Sequence, residues 1–412
     1  MSFLRISDRK VLSWCLYDVG NSGFATTVMA AVYPVYFREV AAQGLAPNLP
    51  AAYWGYASAI ALLASAFFTP ILGAMADMRG SKKQFLFLFT TVGVLCTAAM
   101  AAVGPGDWFS ALLFMIGGTI GFSGAIVFYD ALLPSLVPAD RIDTVSSQGF
   151  ALGYLGGGML LAVNLLMIQL LPGTLGARLS FLSVALWWTL FSLPILFAVD
   201  EPPSQPRPDD RAGPLFSEAL RRLASTFRDI RSYRDLFVFL LAFWFYNDGI
   251  GTIIRMAAIY GSSLGISMSQ LVGALLATQF VAFPFSLAFG AMAGRVGSKR
   301  AILIGLSFYI VITFASLFVS RAWHFWVLAA AVGMVQGGVQ AISRGFFASM
   351  IPKGREAEFF GFYDISSKFS GIVGPFVFGF VTQILGSSRI AIAILSYTFI
   401  LGIVILRRVR KE

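Results

Sequence analysis

The chain has 412 residues, of which 58% are hydrophobic and only 12% are charged. A soluble protein of this length needs about 25% charged residues to cover its surface, so the composition excludes a soluble domain. The single histidine, His324, argues against histidine-based metal sites and histidine-dependent catalytic triads. The two cysteines both lie in apolar stretches, which is not the pattern of a disulfide framework.

Apolar stretches long enough to cross about 30 Å of hydrocarbon recur along the whole chain. The first six lie at residues 12–37, 52–76, 84–103, 108–133, 147–170 and 180–198. The last six lie at residues 235–260, 270–293, 300–319, 323–347, 360–384 and 389–406. The sequence therefore predicts an all-α, multi-pass integral membrane protein with twelve transmembrane helices.

Lysines and arginines are distributed unequally between the two sides of this topology. If the N-terminus is cytoplasmic, 23 of the 30 basic residues lie on the cytoplasmic side and four on the outer side. Because membrane proteins retain basic loops in the cytoplasm, this asymmetry predicts that both termini are cytoplasmic, in a bacterial inner membrane. It also explains the net charge of +10 without a nucleic-acid partner.

One long connection, residues 199–234, separates the sixth span from the seventh. Its first part, residues 201–214, is rich in proline and charge and is typical of a linker. Its second part predicts an amphipathic helix on the cytoplasmic membrane surface, and a site for a regulatory partner is the alternative. The apolar face of that helix holds Phe216, Leu220, Leu223, Phe227 and Ile230. We therefore divide the chain into an N-terminal half (1–198), a cytoplasmic linker (199–234) and a C-terminal half (235–412).

Short patterns recur in the second half of the chain at nearly constant offsets. The segment GAMADMRGSKK at residues 73–83 is identical at seven of eleven positions to GAMAGRVGSKR at residues 290–300. Residues 29–33 (MAAVY) match residues 256–260 (MAAIY), and residues 135–138 (SLVP) match residues 349–352 (SMIP). These repeats predict two parallel six-helix halves with a substrate site between them near the membrane midplane.

The segment at residues 73–83 resembles the signature that the major facilitator superfamily carries between helices 2 and 3. The matching positions are Gly73, Asp77, Gly80, Lys82 and Lys83, whereas Met78 stands where the family usually has a basic residue. The resemblance implies a gate, in which the acid latches against helix 11 and favours the outward-open state. A basic turn without a gating role is the alternative.

Four other segments are similar to the vacuole-effluxer branch of that superfamily, which includes fungal autophagy-related amino-acid effluxers. They are YDVGNS at 17–22, YNDG at 246–249, IRMAA at 254–258 and PKGREAEFFG at 352–361. The resemblance covers nearly the whole chain. It implies the major facilitator fold and favours efflux of amino-acid-like solutes.

Seven ionisable residues fall inside the predicted spans, where each costs roughly 3 kcal/mol at a helix centre. Such residues need protein partners or a water-filled cavity. They lie on spans 1, 4, 7, 10 and 11, and in the fold that the chain resembles helices 1, 4, 7 and 10 line the central cavity. The seven are Asp18, Asp130, Asp248, Arg255, Arg344, Asp364 and Lys368.

Helical spacing places several polar residues on shared faces. The candidates for binding substrate or ion are Asp18 with Asn21, Asp248 with Arg255, and the stripe of Gln336, Gln340 and Arg344. We expect all of these except Gln336 to face one central cavity. Asp364 and Lys368 can pair at i, i+4, as a gate, as a structural pair or as a substrate contact. Asp130 lies near the cytoplasmic end of span 4, where gating and substrate contact both stay open.

The leading hypothesis is a secondary active transporter, not an enzyme, that moves a small polar organic solute by alternating access. Its partners would be a small-molecule substrate, a proton and the lipid bilayer, with no metal or cofactor, and the protein would be a monomer. Asp18 or Asp248 would take up the proton, and Arg255 and Arg344 would bind an anionic group such as a carboxylate. The chain has no phosphate-binding loop of an ATP-driven pump. A lipid or amphiphile flippase of the same fold and a non-transporting membrane sensor are the alternatives.

Overall fold

The computed structural model describes Ile6 and residues 8–46, 49–201, 215–228, 230–266 and 268–411, and these are almost entirely helical. We name the long helices α1 to α12 and the helix between α6 and α7 the linker helix. In the first half α1 consists of four consecutive segments, Arg9–Gly23, Phe24–Val32, Tyr33–Tyr36 and Phe37–Ala41. It is followed by α2 (Leu49–Arg79), α3 (Lys82–Ala99), α4 (Trp108–Leu136), α5 (Ile142–Leu170) and α6 (Leu175–Ala198). The linker helix (Leu215–Arg228) precedes α7 (Arg234–Ser263), α8 (Met268–Val296), α9 (Ser298–Ala315), α10 (Ala322–Met350), α11 (Glu356–Leu385) and α12 (Ser388–Leu406).

Eleven of these helices, α2 to α12, are long and apolar enough to cross a membrane within the described part of the chain. Two π-helical stretches divide α1 into segments that are individually too short. Pro34 lies just after the first of them, where its missing N–H and its ring disturb the regular hydrogen-bond ladder. Since the segments are consecutive from Arg9 to Ala41, α1 is consistent with the twelfth predicted crossing.

The helices pack in the same pairs in both halves of the chain. In the first half α1 contacts α5 and α6, α2 contacts α4, and α3 contacts α4 and α6. Each pair recurs six helices later, as α7 with α11 and α12, α8 with α10, and α9 with α10 and α12. The fold is therefore a bundle of two pseudo-symmetric six-helix halves. The residue boundaries of the three parts of the chain remain a prediction.

The two sides of the bundle are distinguished here by the linker. We call the linker side the one that carries Glu201, the linker helix, the start of α1 and Lys411, and the opposite side the far side. On the linker side Lys10 at the start of α1 pairs with Asp200 beyond α6, and Lys411 donates to the carbonyl of Ser349 near the end of α10.

The two halves meet mainly through α2 with α11 and α5 with α8, two pairs related by the pseudo-symmetry. Gly73 makes the first contact close, because a Cβ built there would lie 2.3 Å from the carbonyl oxygen of Ala357. The described hydrogen bonds and ion pairs between the halves all lie in the part of the bundle nearer the linker side. The one farthest from that side involves Gln336, halfway along α10. The polar contacts therefore close the bundle on the linker side.

The linker helix packs against α2, but the face that it buries is not the predicted apolar stripe. Ala219 and Leu223 are buried together with the polar residues Arg222 and Thr226. Phe216 and Leu220 are 48% and 42% exposed, and the side chains of Phe227 and Ile230 lie outside the described residues. The predicted apolar face was expected to meet the membrane surface and not the protein, so the exposure of Phe216 and Leu220 leaves that prediction standing. Thr226 is buried because its hydroxyl hydrogen-bonds with Arg355 and Glu358 at the start of α11.

Candidate functional site

Asp77, near the end of α2, bonds to the first turn of α11 in the other half. The N–H of Ala357 donates to Asp77 Oδ1 at 3.2 Å, and the N–H of Glu358 donates to Oδ2 at 2.9 Å. Because α11 begins at Glu356, these N–H groups have no partner within the helix and attract an anion. Asp77 therefore ties the halves together on the linker side, where the sequence motif predicted a gate.

Lys82, the first lysine of the motif, contacts the same acid from its other side. Lys82 Nζ lies 3.2 Å from Asp77 Oδ1 and 2.7 Å from Glu356 Oε2, and all three side chains are nearly or fully buried. Gly80 adopts a φ of +63°, a left-handed conformation that favours glycine and turns the chain from α2 into α3. The motif therefore combines a tight turn with a buried ion cluster across the two halves.

Glu201, at the start of the linker, caps the N-terminus of α3. Its carboxylate accepts from the N–H groups of Lys82 at 2.7 Å and Lys83 at 2.8 Å, and Lys83 Nζ donates to the carbonyl of Val199 at 2.6 Å. Partial burial raises the pKa of the Glu201 carboxyl, although the two N–H donors oppose the rise. Glu201 and Glu356 were missed as gate residues because both lie far from the motif in the sequence.

Arg344 of α10 is buried and bonds to three helices of the other half. Its Nη1 lies 3.1 Å from Asp130 Oδ1 of α4 and 3.4 Å from Asp18 Oδ2 of α1. Its Nε donates to Ser146 Oγ and its Nη2 to the carbonyl of Ser146, both at 2.9 Å. Tyr129 donates to Asp18 at 3.1 Å. One guanidinium therefore links both halves and neutralises part of the charge of two carboxylates.

Aromatic rings enclose the guanidinium of Arg344. Its central carbon lies 4.3 Å from the ring centroid of Phe150 and 4.8 Å from that of Trp14. A desolvated guanidinium gains about 2 kcal/mol from such a ring, and the rings exclude water from the ion pairs. Gly149 permits this packing, because a Cβ there would lie 2.8 Å from the ring of Trp14 and 3.1 Å from Arg344 Nη2.

One turn and two turns before Arg344, the glutamines of α10 meet a tyrosine of α5. Tyr154 donates to Gln340 Oε1 at 2.9 Å and accepts from Gln336 Nε2 at 3.2 Å. The polar stripe of α10 therefore faces α5 along its whole length. Tyr154 is not among the candidates from the sequence, although its hydroxyl is the partner of the stripe.

Asp248 and Arg255, two turns apart on α7, are in different environments. Asp248 is buried, and its Oδ1 accepts the N–H of Gly374 in α11 at 2.8 Å. Arg255 is exposed and makes no hydrogen bond or ion pair within the described part of the chain. Its guanidinium lies against Gly371 of α11, where a Cβ would be 2.4 Å from Nη2.

Three further candidates lie in the interior of the bundle. Lys368 pairs with Asp364 on α11, and Asp364 also accepts from Thr69 of α2 at 3.3 Å, so this pair touches both halves. Asn21 of α1 is buried, and its side-chain nitrogen has no hydrogen-bond partner among the described residues. The described residues contain no cluster of side chains that could hold a metal ion.

The candidate residues therefore do not share one open cavity, and that expectation is wrong for this conformation. Asp18, Asp130 and Arg344 are sealed between the halves, whereas Arg255 is exposed toward the far side. The sequence placed these charges on spans 1, 4, 7 and 10, and they lie on the corresponding helices α1, α4, α7 and α10. It could not show that they neutralise one another across the halves, since the partners are hundreds of positions apart.

Comparison with known proteins gives a family match over nearly the whole chain. The model of the family described as "Vacuole effluxer Atg22 like" matches residues 7–412. An "Uncharacterized MFS-type transporter" of Bacillus subtilis is 40% identical, and the match covers 97% of this chain and 94% of that protein. "Autophagy-related protein 22-1" of Penicillium rubens is 30% identical over 62% of this chain, and the match spans 47% of the fungal protein.

Solved structures with the same fold include several transporters of low sequence identity. A human organic anion transporter superposes with a TM-score of 0.78 at 14% identity, covering 97% of this chain and 99% of its own. A fucose transporter of the major facilitator superfamily, solved in the outward conformation, superposes with a TM-score of 0.71 at 15% identity and covers both chains completely. At these identities the likeness concerns the fold alone.

Proposed function

The chain belongs to the vacuole effluxer Atg22-like family of major facilitator transporters, and from this premise we propose that it moves a small polar organic solute by alternating access. The proposal depends on where the hydrogen bonds and ion pairs between the two halves lie. Asp77 and Arg344 hold the halves together on the linker side, and Arg255 is exposed beyond them. A rocking motion that breaks these ties would open the linker side.

We further propose that transport is coupled to protons through the cluster around Arg344. Two carboxylates, Asp18 and Asp130, face one guanidinium in a closed space, so the ionised cluster carries one excess negative charge. Binding of one proton would remove that excess and weaken the hold of the carboxylates on Arg344. Of the two candidates from the sequence, the structure favours Asp18 over Asp248, because the carboxylate of Asp248 is held by the N–H of Gly374 within its own half.

The direction and location of transport are part of the same proposal. Loops on the linker side hold most of the lysines and arginines, which supports a cytoplasmic linker side. With that orientation the closed state faces outward from the plasma membrane of the cell. Similarity to fungal relatives named for autophagy favours efflux of amino-acid-like solutes, by a monomeric carrier.

The test is transport by purified protein in vesicles with a pH difference across the membrane. Labelled amino acids, peptides, sugars and a fluorescent lipid are compared, and we expect an amino-acid-like solute to cross in response to the proton gradient. Asp18→Asn should lose the dependence on the gradient but retain exchange of solute for solute. Asp107→Asn is the matched control, since Asp107 hydrogen-bonds Gly104 at the far-side end of α4. Movement of the lipid alone would identify a flippase, and no movement at all would reject transport.

A further inference from the structure

We infer that Arg255, supported by the bare backbone of Gly371, forms the subsite that binds a carboxylate group of the transported solute. The inference rests on the proposed function and assigns to Arg255 alone the role that the sequence had assigned to both Arg255 and Arg344. It predicts that the solutes are carboxylic acids, amino acids among them, and that their neutral amides are not transported.

Arg255 is the cation of the spans that lacks a partner in the described part of the chain. Arg344 is bound by Asp18, Asp130 and Ser146, and Lys368 is bound by Asp364. Among the described residues, Arg255 makes neither a hydrogen bond nor an ion pair. An arginine in a membrane helix is costly to insert unless its charge meets a partner or water. If Arg255 were structural, we would expect a protein partner to offset that cost. If Arg255 binds a solute, its N–H donors stay free for the ligand.

Two glycines leave the space that the guanidinium of Arg255 occupies. A Cβ on Gly371 would lie 2.4 Å from Nη2 and 2.8 Å from Nη1, which are closer than real Cβ contacts. A Cβ on Gly251, one turn earlier on α7, would lie 2.7 Å from Nη2. The guanidinium therefore packs against the backbone of α7 and α11, and Asp248 on the same helix attracts it without a hydrogen bond or ion pair among the described residues. A guanidinium held in this way presents paired N–H donors, which match the two oxygens of a carboxylate.

The position of Gly371 shows which way this site faces. Gly371 lies seven residues after Asp364 on α11, a spacing that returns to the same helical face. Asp364 accepts a hydrogen bond from Thr69 of α2, so this face of α11 is turned toward the other half. Arg255 itself lies 21 residues after the start of α7 at Arg234, about 31 Å along the helix. The guanidinium therefore lies on the far side of the contacts that close the bundle, against the face between the halves.

Arg344 cannot fill this role in the same conformation. Its donors are taken up by two carboxylates and a serine, and its side chain is only 5% exposed. A carboxylate arriving from the far side would have to displace an acid that already bonds the guanidinium. The two arginines therefore have separate roles, Arg344 in joining the halves and Arg255 in recognising the solute.

The experiment measures binding and transport by the full-length protein with matched variants. Thermal stabilisation of purified protein is recorded with a panel of amino acids and simple carboxylic acids, and with their amides. We expect acids to stabilise the protein and amides not to do so. Arg255→Gln should weaken acid binding at least about tenfold, since a charged hydrogen-bonding partner is lost. Arg255→Lys should retain part of the binding, because the charge remains and the planar fork does not.

Gly371→Ala is the sharper variant, because it leaves Arg255 in place and displaces its guanidinium. We expect it to weaken acid binding as Arg255→Gln does. Gly379→Ala on the same helix is the matched control, since a Cβ there meets no atom within 4 Å. Arg321→Gln removes an exposed arginine at the far-side start of α10 and should leave binding unchanged.

The outcomes separate this inference from the proposed function. Equal acid binding by Arg255→Gln and the unchanged protein would overturn the subsite while transport stands. Transport of an amide or a sugar that is unaffected by Arg255→Gln would do the same. If vesicles with the unchanged protein transport no solute at all, the proposed function fails and the subsite with it.

Discussion

Arg344 of α10 and Asp130 of α4 lie 3.1 Å apart in the interior, although they are 214 positions apart in the chain. The pair joins the two halves of the bundle, and Asp18 lies at 3.4 Å from the same guanidinium. Both partners are buried. Removal of only one of them is therefore costly, because the other then leaves an uncompensated charge in the interior.

Removing the charge of Arg344 should destabilise the closed linker side. Arg344→Gln leaves two buried carboxylates without their cation, and we expect a loss of about 3–5 kcal/mol in stability. A cysteine placed at Ser147, which contacts Gly290 between the halves, should then react faster with a maleimide, in a background without Cys15 and Cys96. Arg344→Gln combined with Asp130→Asn should recover part of the stability. If the double variant is no more stable than Arg344→Gln, the charges are not coupled.

Removing the carboxylate of Asp77 should shift the population toward states that are open on the linker side. Asp77→Asn loses the charge that Lys82 and the two N–H groups of α11 share. The same cysteine at position 147 should become several-fold more reactive in membranes. Unchanged reactivity, alongside the expected rise in Arg344→Gln, would show that Asp77 has no gating role.

The hydroxyl of Tyr154 should stabilise the contact between α5 and α10. Tyr154→Phe leaves Gln336 and Gln340 without their shared partner, and an unsatisfied buried polar group costs about 1–3 kcal/mol. The melting temperature of the purified protein should fall accordingly. Tyr309→Phe is the matched control, since the buried hydroxyl of Tyr309 has no hydrogen-bond partner among the described residues and its removal should be neutral. Equal effects of the two substitutions would contradict the role of Tyr154.

The outward face of the linker helix should touch the membrane surface. Phe216 and Leu220 are exposed there, on a helix that packs against α2, whose Phe67 and Phe68 are also exposed. Tryptophan in place of Phe216 should be quenched by brominated lipids, because apolar residues of such helices enter the headgroup boundary. Tryptophan in place of the exposed Ser232 is the comparison. Equal quenching at the two positions would contradict a specific membrane contact of this face.

The sequence alone determined the spans, the two-half repeat and the turn at Gly80 that follows Asp77. These features depend on local properties: about twenty apolar residues suffice to cross the hydrocarbon whatever lies elsewhere in the chain. The tight turn at Gly80 likewise depends on a few neighbouring residues. The family resemblance drawn from short motifs was confirmed by the match of the whole chain.

Only the tertiary structure decided which charges pair and which face of a helix is buried. The cost of placing Asp18 or Arg344 in a span is readable from the sequence, but the group that offsets the cost lies on another helix. Packing brought Arg344 to two acids and left Arg255 beside two glycines, although both arginines look alike in the sequence. Packing also buried Thr226 of the linker helix and exposed Phe216, because the start of α11 offers hydrogen-bond partners that no local pattern can reveal.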